Sequence, residues 1–324
     1  IMQKRITTLP KLLVVAGPTA SGKTDLALRL AKRFKGEVIS ADSRQFYKGT
    51  EIGSDIIPGT WVRKFGRRTY IAHGVPHYLT AFLSPSKPFS AAQFKDHVIR
   101  IARDITKRGH LPILCGGTGL YIRAVVDNFN LGEIPSDQAF RDRMEKRSAA
   151  ALYRELAKKD PAYAARIPAS NKRYAIRALE VMRATGKTVT ESQSKGEPLF
   201  DVLQIGIKRP VDVANARIDA RVDDMMKRGL LDEARKLGKK YGWAAPAMTG
   251  LGHRQLGQFL RGEIPLEEAV RLIKRDTRRY AKRQRAWLKR DERIQWVKSV
   301  RGAETLVKRH LSSGRFKAKL SAKT

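Results

Sequence analysis

A single cysteine, Cys115, stands in 324 residues, so no intrachain disulfide can form. With that one thiol and 6 histidines, no zinc-ligand spacing arises. Long apolar runs are missing too: none approaches the ~18 residues a membrane helix needs. Ile1–Pro10 carries no signal-peptide apolar stretch. These absences predict a cytoplasmic protein without a membrane segment. Acidic residues are scarce as well, 31 Asp and Glu against 66 Lys and Arg, a net charge of +35. Self-repulsion on that scale works against a compact enzyme of small molecules and fits a polyanionic partner. Charge alone does not choose between nucleic acid and an anionic membrane surface.

What is present begins at the apolar run Leu12-Leu13-Val14-Val15-Ala16, followed by Gly17-Pro18-Thr19-Ala20-Ser21-Gly22-Lys23-Thr24. This is the G-x-x-x-x-G-K-[ST] phosphate loop in its strand-before, helix-after setting. Glycines let backbone N–H groups curl around phosphate oxygens, Lys23 supplies a point charge, and Thr24 a hydroxyl for Mg²⁺. Ala27, Leu30, Ala31 and Phe34 recur at helical spacing, so a helix N-terminus adds its partial positive charge.

Two further apolar runs, 38–41 and 111–115, end at Asp42-Ser43 and at Gly116-Gly117-Thr118-Gly119. Between them Phe94, Val98, Ile101 and Ile105 mark one helical face, with Ser90 as its cap and Gly109 as its stop. Alternating apolar strands and helices predict an α/β fold, a P-loop NTPase-like parallel sheet with helices on both faces. Ligands in such sheets gather at the C-terminal strand ends, where the loop at Gly17, Asp42-Ser43 and Gly116–Thr118 converge. The chain divides into a core over 1–131, a helical insertion domain over 132–198, more core over 199–300, and a basic tail over 301–324, mobile from Lys308. The insertion is bounded by Ile134-Pro135 and Gly196-Glu197-Pro198. A strand returns at Val202–Ile207, and a helix from about Asp212 carries Arg217 and Arg221. Residues 271–293 hold 11 Lys/Arg against 3 Asp/Glu, with Arg275, Arg278, Lys282, Arg285 and Lys289 on one face.

The residues leave several roles open. Asp42, at a strand end beside a phosphate loop, suits either a Mg²⁺ ligand or a general base facing the substrate. Gly116-Gly117-Thr118 is either an ordinary turn or a donor of N–H groups and a hydroxyl to a leaving oxygen. Arg217 and Arg221 are a solvated pair or a counter-charge for diphosphate. The basic helix favours phosphate-backbone contact over simple solvation. His73, His77 and His97 show no metal-ligand pattern and read as packing or surface residues.

Five segments occur in order: the phosphate loop; Asp42-Ser43-Arg44-Gln45-Phe46-Tyr47; Gly116-Gly117-Thr118-Gly119-Leu120-Tyr121; Arg177–Val181 with Thr185-Gly186-Lys187; and Tyr280-Ala281-Lys282-Arg283-Gln284. The set resembles the tRNA dimethylallyltransferases, also called isopentenyl-diphosphate:tRNA transferases, from about Leu12 to Val297. The resemblance implies transfer of a dimethylallyl group from its diphosphate to N6 of the adenosine 3′-adjacent to the anticodon. It implies Mg²⁺ at Thr24 and dimethylallyl diphosphate as co-substrate, with the loop 17–24 holding a leaving group. Asp42 is then the base, Thr118 lies near the bridging oxygen, and Arg221 neutralises the far side. For tRNA it implies Asp42, Ser43, Arg44, Gln45 and Thr118 around the base. Arg141, Arg173 and Arg177 join them from the insertion, which closes on the anticodon stem-loop. Gly252, His253 and Arg254 follow, and then Arg278, Lys282, Arg283 and Gln284. No protein partner is implied, and a monomer is expected.

Departures are Gly53-Ser54-Asp55-Ile56-Ile57-Pro58 for the family's Gly-Thr-Ala-Lys-Pro, Tyr174 for a second arginine, and His253 for a tyrosine. Two other readings use the same loop. A small-molecule or nucleotide kinase would bind ATP, put Asp42 on Mg²⁺ and close Arg141, Arg143 and Arg147 as a lid. An RNA-binding NTPase would tolerate Asp42→Asn.

Overall fold

A computed structural model describes residues 9–131, 137–192 and 194–313. The Ile134-Pro135 boundary, most of Ile1–Pro10 and residues 314–324 of the expected tail lie outside the described residues. The chain forms two units. The first takes Ile1–Phe89, His97–Ile122 and Leu199–Thr324, and the second Ser90–Asp96 and Arg123–Pro198.

All eight strands belong to the first unit: β1 (Lys11–Ala16), β2 (Gly36–Ala41), β3 (Thr60–Lys64), β4 (Arg67–Ala72), β5 (Val75–Tyr78), β6 (Leu111–Gly116), β7 (Asp201–Ile207) and β8 (Ile294–Val297). They form one sheet in the order β3-β4-β5-β2-β6-β1-β7-β8. From β5 to β8 the pairings are parallel, in the register Leu13↔Ile113, Leu13↔Leu203 and Val38↔Ile113. β3 and β4 run antiparallel as an appended hairpin, which the apolar-run reading did not contain. The reason is visible in β3, whose five residues are all exposed, so nothing apolar marks it.

Alternate residues of each central strand go to opposite faces, and both faces are covered. Leu13, Val15, Ile113 and Ile205 pack with Leu26, Ala27 and Leu30 of α1 (Lys23–Arg33) and with Ala303 and Val307 of α13 (Val300–Ser312). Leu12, Val14, Ile39 and Leu114 on the other face are fully buried. Each such side chain contributes about 1.5–3 kcal/mol of transfer free energy, which is why these strands read as unbroken apolar runs. The expected tail over 301–324 therefore begins as a packed helix, capped by Ser299 Oγ accepting from Gly302 N at 3.2 Å. The unit also contains α2 (Ala91–Lys107) from His97 onward, the start of α3 (Gly119–Val126), α9 (Val211–Lys227), α10 (Leu230–Tyr241), α11 (His253–Leu260) and α12 (Leu266–Leu288).

The second unit is helical: α4 (Gln138–Glu145), α5 (Ala149–Lys159), α6 (Pro161–Ala164), α7 (Lys172–Thr185) and α8 (Val189–Ser192). Leu152, Leu156, Ala175, Leu179 and Val189 form its core. Side-chain caps from Asp137, Ser148, Asp160 and Asn171 begin four of these short helices, each worth about 1 kcal/mol. Among the described residues no helix is long and apolar enough to cross a membrane.

Candidate active site

The site grows from the end of β1. Gly17 N donates to Gly116 O at 3.2 Å, tying the phosphate loop to the end of β6. Ala20 (φ 62) and Gly22 (φ 89) both sit in the left-handed region, which turns the loop tightly enough to start α1 at Lys23. Arg209, just beyond β7, donates from Nε to Ser21 O at 3.0 Å and braces the loop from outside.

A second brace comes from α12. Gln284 accepts from Thr19 N at 2.9 Å through Oε1 and donates from Nε2 to Gly117 O at 3.0 Å. One carboxamide thus couples the phosphate loop to the 116–119 turn. The fit requires glycine at 117, where a Cβ would lie 2.4 Å from Gln284 Nε2 and 2.7 Å from Gly17 O.

Thr118 follows that glycine. Its Oγ1 accepts from Ser43 N at 3.3 Å, and its own N–H donates to Ala41 O at 3.3 Å, so the turn is stitched to the end of β2. Tyr280 of α12 shares a side-chain hydrogen bond with Thr118; burial and then the charge of Asp42 push its phenol up to about 12. Asp42 is half-buried, and Oδ1 accepts from Arg44 N at 3.0 Å. Lys23 feels this carboxylate. Burial lowers the lysine's pKa, Asp42 and more weakly Asp55 oppose that, and Arg221 adds to it. Arg221 projects from α9 and pairs with Asp55, whereas Arg217 one turn earlier is exposed.

A pocket opens at Lys23 and Thr24. Asp42, Ser40 and Gln45 line it together with Ala27, Val38, Ile56, Ile57, Tyr70, His77, Thr80, Cys115 and Gly116. Its lining combines Lys23 and the polar groups of Thr24, Ser40, Asp42 and Gln45 with apolar side chains such as Val38, Ile56 and Ile57. Among the described residues no cluster of three or more His, Cys, Asp or Glu could hold a metal.

A model of the IPP transferase family matches residues 45–291. The chain is 41% identical over 293 residues to a tRNA dimethylallyltransferase of Halalkalibacterium halodurans, covering 88% of this chain and 90% of that one. The chain belongs to the IPP transferase family. Among solved structures, it is similar to the tRNA isopentenylpyrophosphate transferase of Bacillus halodurans, with 38% identity, a TM-score of 0.65, and 93% and 94% of the two chains covered. A eukaryotic dimethylallyltransferase acting on tRNA is 26% identical, with a TM-score of 0.69, over 93% of this chain and 77% of that one.

In this IPP transferase the residues expected to touch tRNA fall into two sets. Arg44, Arg173, Arg254, Lys282 and Arg283 are exposed. Arg44 also donates to Pro246 O at 3.0 Å, Arg254 to Asp276 at 3.1 Å, and Arg173 lies over the Tyr174 ring. The others are engaged within the protein. His253 is buried, with Nε2 2.9 Å from Glu233, and Glu233 also accepts from Ile52 N and Gly53 N. Gly252 is buried, its N–H on Gln255. Gln284 is buried in the brace just described, and Gln45 reaches Ser40 and the carbonyls of Ser54 and Asp55. Arg278 is held by Asp219 at 2.6 Å. So His253 and Gln284, expected among tRNA contacts, are internal supports here.

In the helical unit Arg141 grips Glu180 with two bonds of 2.9 Å, and Arg177 joins the same carboxylate. Burial works to raise the Glu180 carboxyl, and those hydrogen bonds outweigh it, so its pKa is lowered. Three residues around the phosphate loop and Asp42 had no site role in the sequence reading: Arg209, Tyr280 and Asp55. Arg209 had a usable signal, a cation two residues beyond a strand on the ligand side of a parallel sheet.

Proposed function

We propose that this chain transfers a dimethylallyl group from dimethylallyl diphosphate to N6 of the adenosine 3′-adjacent to the anticodon in tRNA, giving N6-isopentenyladenosine and diphosphate. One observation carries the reading: Lys23 and Thr24 of the phosphate loop, a set of apolar side chains and Asp42 line the same pocket. Anionic head, hydrocarbon tail and proton acceptor have adjoining places. The names of the relatives agree.

The diphosphate is here a leaving group, so the loop's N–H groups and Lys23 stabilise charge as it develops. Ser21 Oγ, buried without a protein partner among the described residues, adds a hydroxyl inside that loop. Thr118 accepts from Ser43 N, and its own hydroxyl proton can go to the bridging oxygen. Arg221, beside Lys23, exchanges Asp55 for the departing diphosphate. The adenine amine is a weak nucleophile because its lone pair is delocalised into the ring. Asp42 orients it and takes its proton as the C1–N6 bond forms and the C1–O bond breaks. Thr24, with diphosphate oxygens and water, fits Mg²⁺, which needs few protein ligands and would add positive charge at the leaving group.

The adenosine leaves its stack to reach this pocket. Lys282, Arg283 and Arg254 of the first unit, and Arg173 of the helical unit, are assigned to phosphates of the anticodon stem-loop. The reading places a monomer in the cytoplasm, with no protein partner needed.

The test incubates protein and Mg²⁺ with unmodified tRNA and dimethylallyl diphosphate, without ATP, and weighs the digested nucleosides. A C5H8 addition to adenosine is expected. Its absence across several tRNAs shown to bind, with ATP turnover present, would overturn the reading in favour of a kinase or NTPase.

A further inference from the structure

The pocket lining holds, on the strand residue paired with Val38, a polar atom that a hydrocarbon tail leaves unmet. Tyr70 donates its hydroxyl to Ile57 O at 2.7 Å, and Ser40 Oγ is on Gln45 Oε1 at 2.8 Å. His77 differs. Its Nδ1 lies 2.9 Å from Val75 O, and a carbonyl only accepts, so Nδ1 carries the hydrogen. Burial lowers the ring's basicity and keeps it neutral. Nε2 is therefore a bare acceptor, and it is buried with no partner among the described residues. The imidazole is 7% exposed and lines the same pocket as Lys23 and Thr24. Ile56, Ile57 and Val38 in the same lining carry no donor, and Thr80 donates its hydroxyl to Tyr78 O at 3.5 Å.

We infer that His77 Nε2 receives a hydroxyl carried on the far methyl of the prenyl chain, so that a hydroxylated C5 allylic diphosphate serves as a second donor. The inference rests on the reading of this pocket as a prenyl diphosphate site. The chemistry of transfer is unchanged. The C1–O bond to diphosphate breaks, the C1–N6 bond forms, the N6 proton goes to Asp42, and the distal hydroxyl is carried intact into the modified adenosine. Burying that hydroxyl against an apolar wall would forfeit its bond to water, and Nε2 replaces that bond.

The experiment measures kcat/KM on unmodified tRNA with dimethylallyl diphosphate and with its 4-hydroxylated analogue, for wild type, His77→Phe and His77→Gln. Wild type is expected to use the two donors within about tenfold of each other. His77→Phe keeps a ring against Tyr70 and removes the acceptor. It should lower the ratio of kcat/KM for the hydroxylated donor to that for dimethylallyl diphosphate by about tenfold or more, whatever it does to both together. His77→Gln, which returns an acceptor, should recover part of the loss. Equal effects of His77→Phe on both donors would overturn the inference. So would a wild type that uses dimethylallyl diphosphate and ignores the analogue, a result that needs no variant to fold. A wild type inert with both donors would instead bring down the prenyl diphosphate reading, and this inference with it.

Discussion

Glu37 and Asp42 stand at opposite ends of β2, five residues apart, and the protein treats them in opposite ways. Glu37 is fully buried and closed off, with Tyr78 OH at 2.5 Å, Arg108 Nη2 at 2.8 Å and His110 Nδ1 at 2.5 Å. Asp42 is half-buried, takes one backbone N–H on Oδ1, and borders the pocket. A carboxylate ringed by donors is fixed in place and ties together the strands around it. One that keeps lone pairs toward a cavity can accept a proton from something that enters. Burial of the carboxylate alone would rank Glu37 as the more unusual residue. The chemistry lies with the residue left incompletely satisfied.

The largest expected effect should break this contrast if it is false. Asp42→Asn should lower kcat for transfer by about 10³-fold, with tRNA binding and melting temperature unchanged. Near-normal transfer by that variant would deny Asp42 its role as base. Glu37→Ala should act the other way round. Urea unfolding should show a loss of about 3 kcal/mol, because Tyr78 and His110 lose their acceptor and Arg108 is left with Asp104 as its carboxylate partner, with kcat per folded molecule unchanged. A drop in kcat at full folding would mean the two ends of β2 are not separable. Gln284→Ala sharpens the site end. Two loop groups lose their partner, so the donor KM should rise about tenfold while unfolding costs shift by only about 1–2 kcal/mol. Smallest is Lys282→Ala, which should reduce the salt slope of tRNA binding by about one without touching the donor KM.

The central sheet was legible because β1, β2, β6 and β7 are covered on both faces and are therefore filled mostly by apolar residues. β3 is wholly exposed, β5 is four residues with a proline, and β8 is equally short, so periodicity had nothing to register. The site was legible where a local motif encodes it, as at Gly17–Thr24 and at Asp42-Ser43. It was illegible where function depends on a partner far along the chain. Nothing near residue 284 announces that a glutamine inside a basic helix will turn inward. Nothing near residue 253 shows that a histidine between Gly252 and Arg254 will be buried against Glu233. Those roles belong to tertiary packing, and helix α12 displays its cations at Lys282 and Arg283 on the same turn that hides Gln284.

That glutamine is separated from Thr19 by 265 residues and from Gly117 by 167. The phosphate loop leaves the ribosome well before its brace does. β1 too must wait, since its neighbour β7 begins only at Asp201. A chain cut short before residue 284 carries the whole loop sequence, with Gly116 and Arg209 to hold it but without the glutamine brace. The shape of a motif written in eight consecutive residues thus depends on a side chain synthesised 265 residues after Thr19.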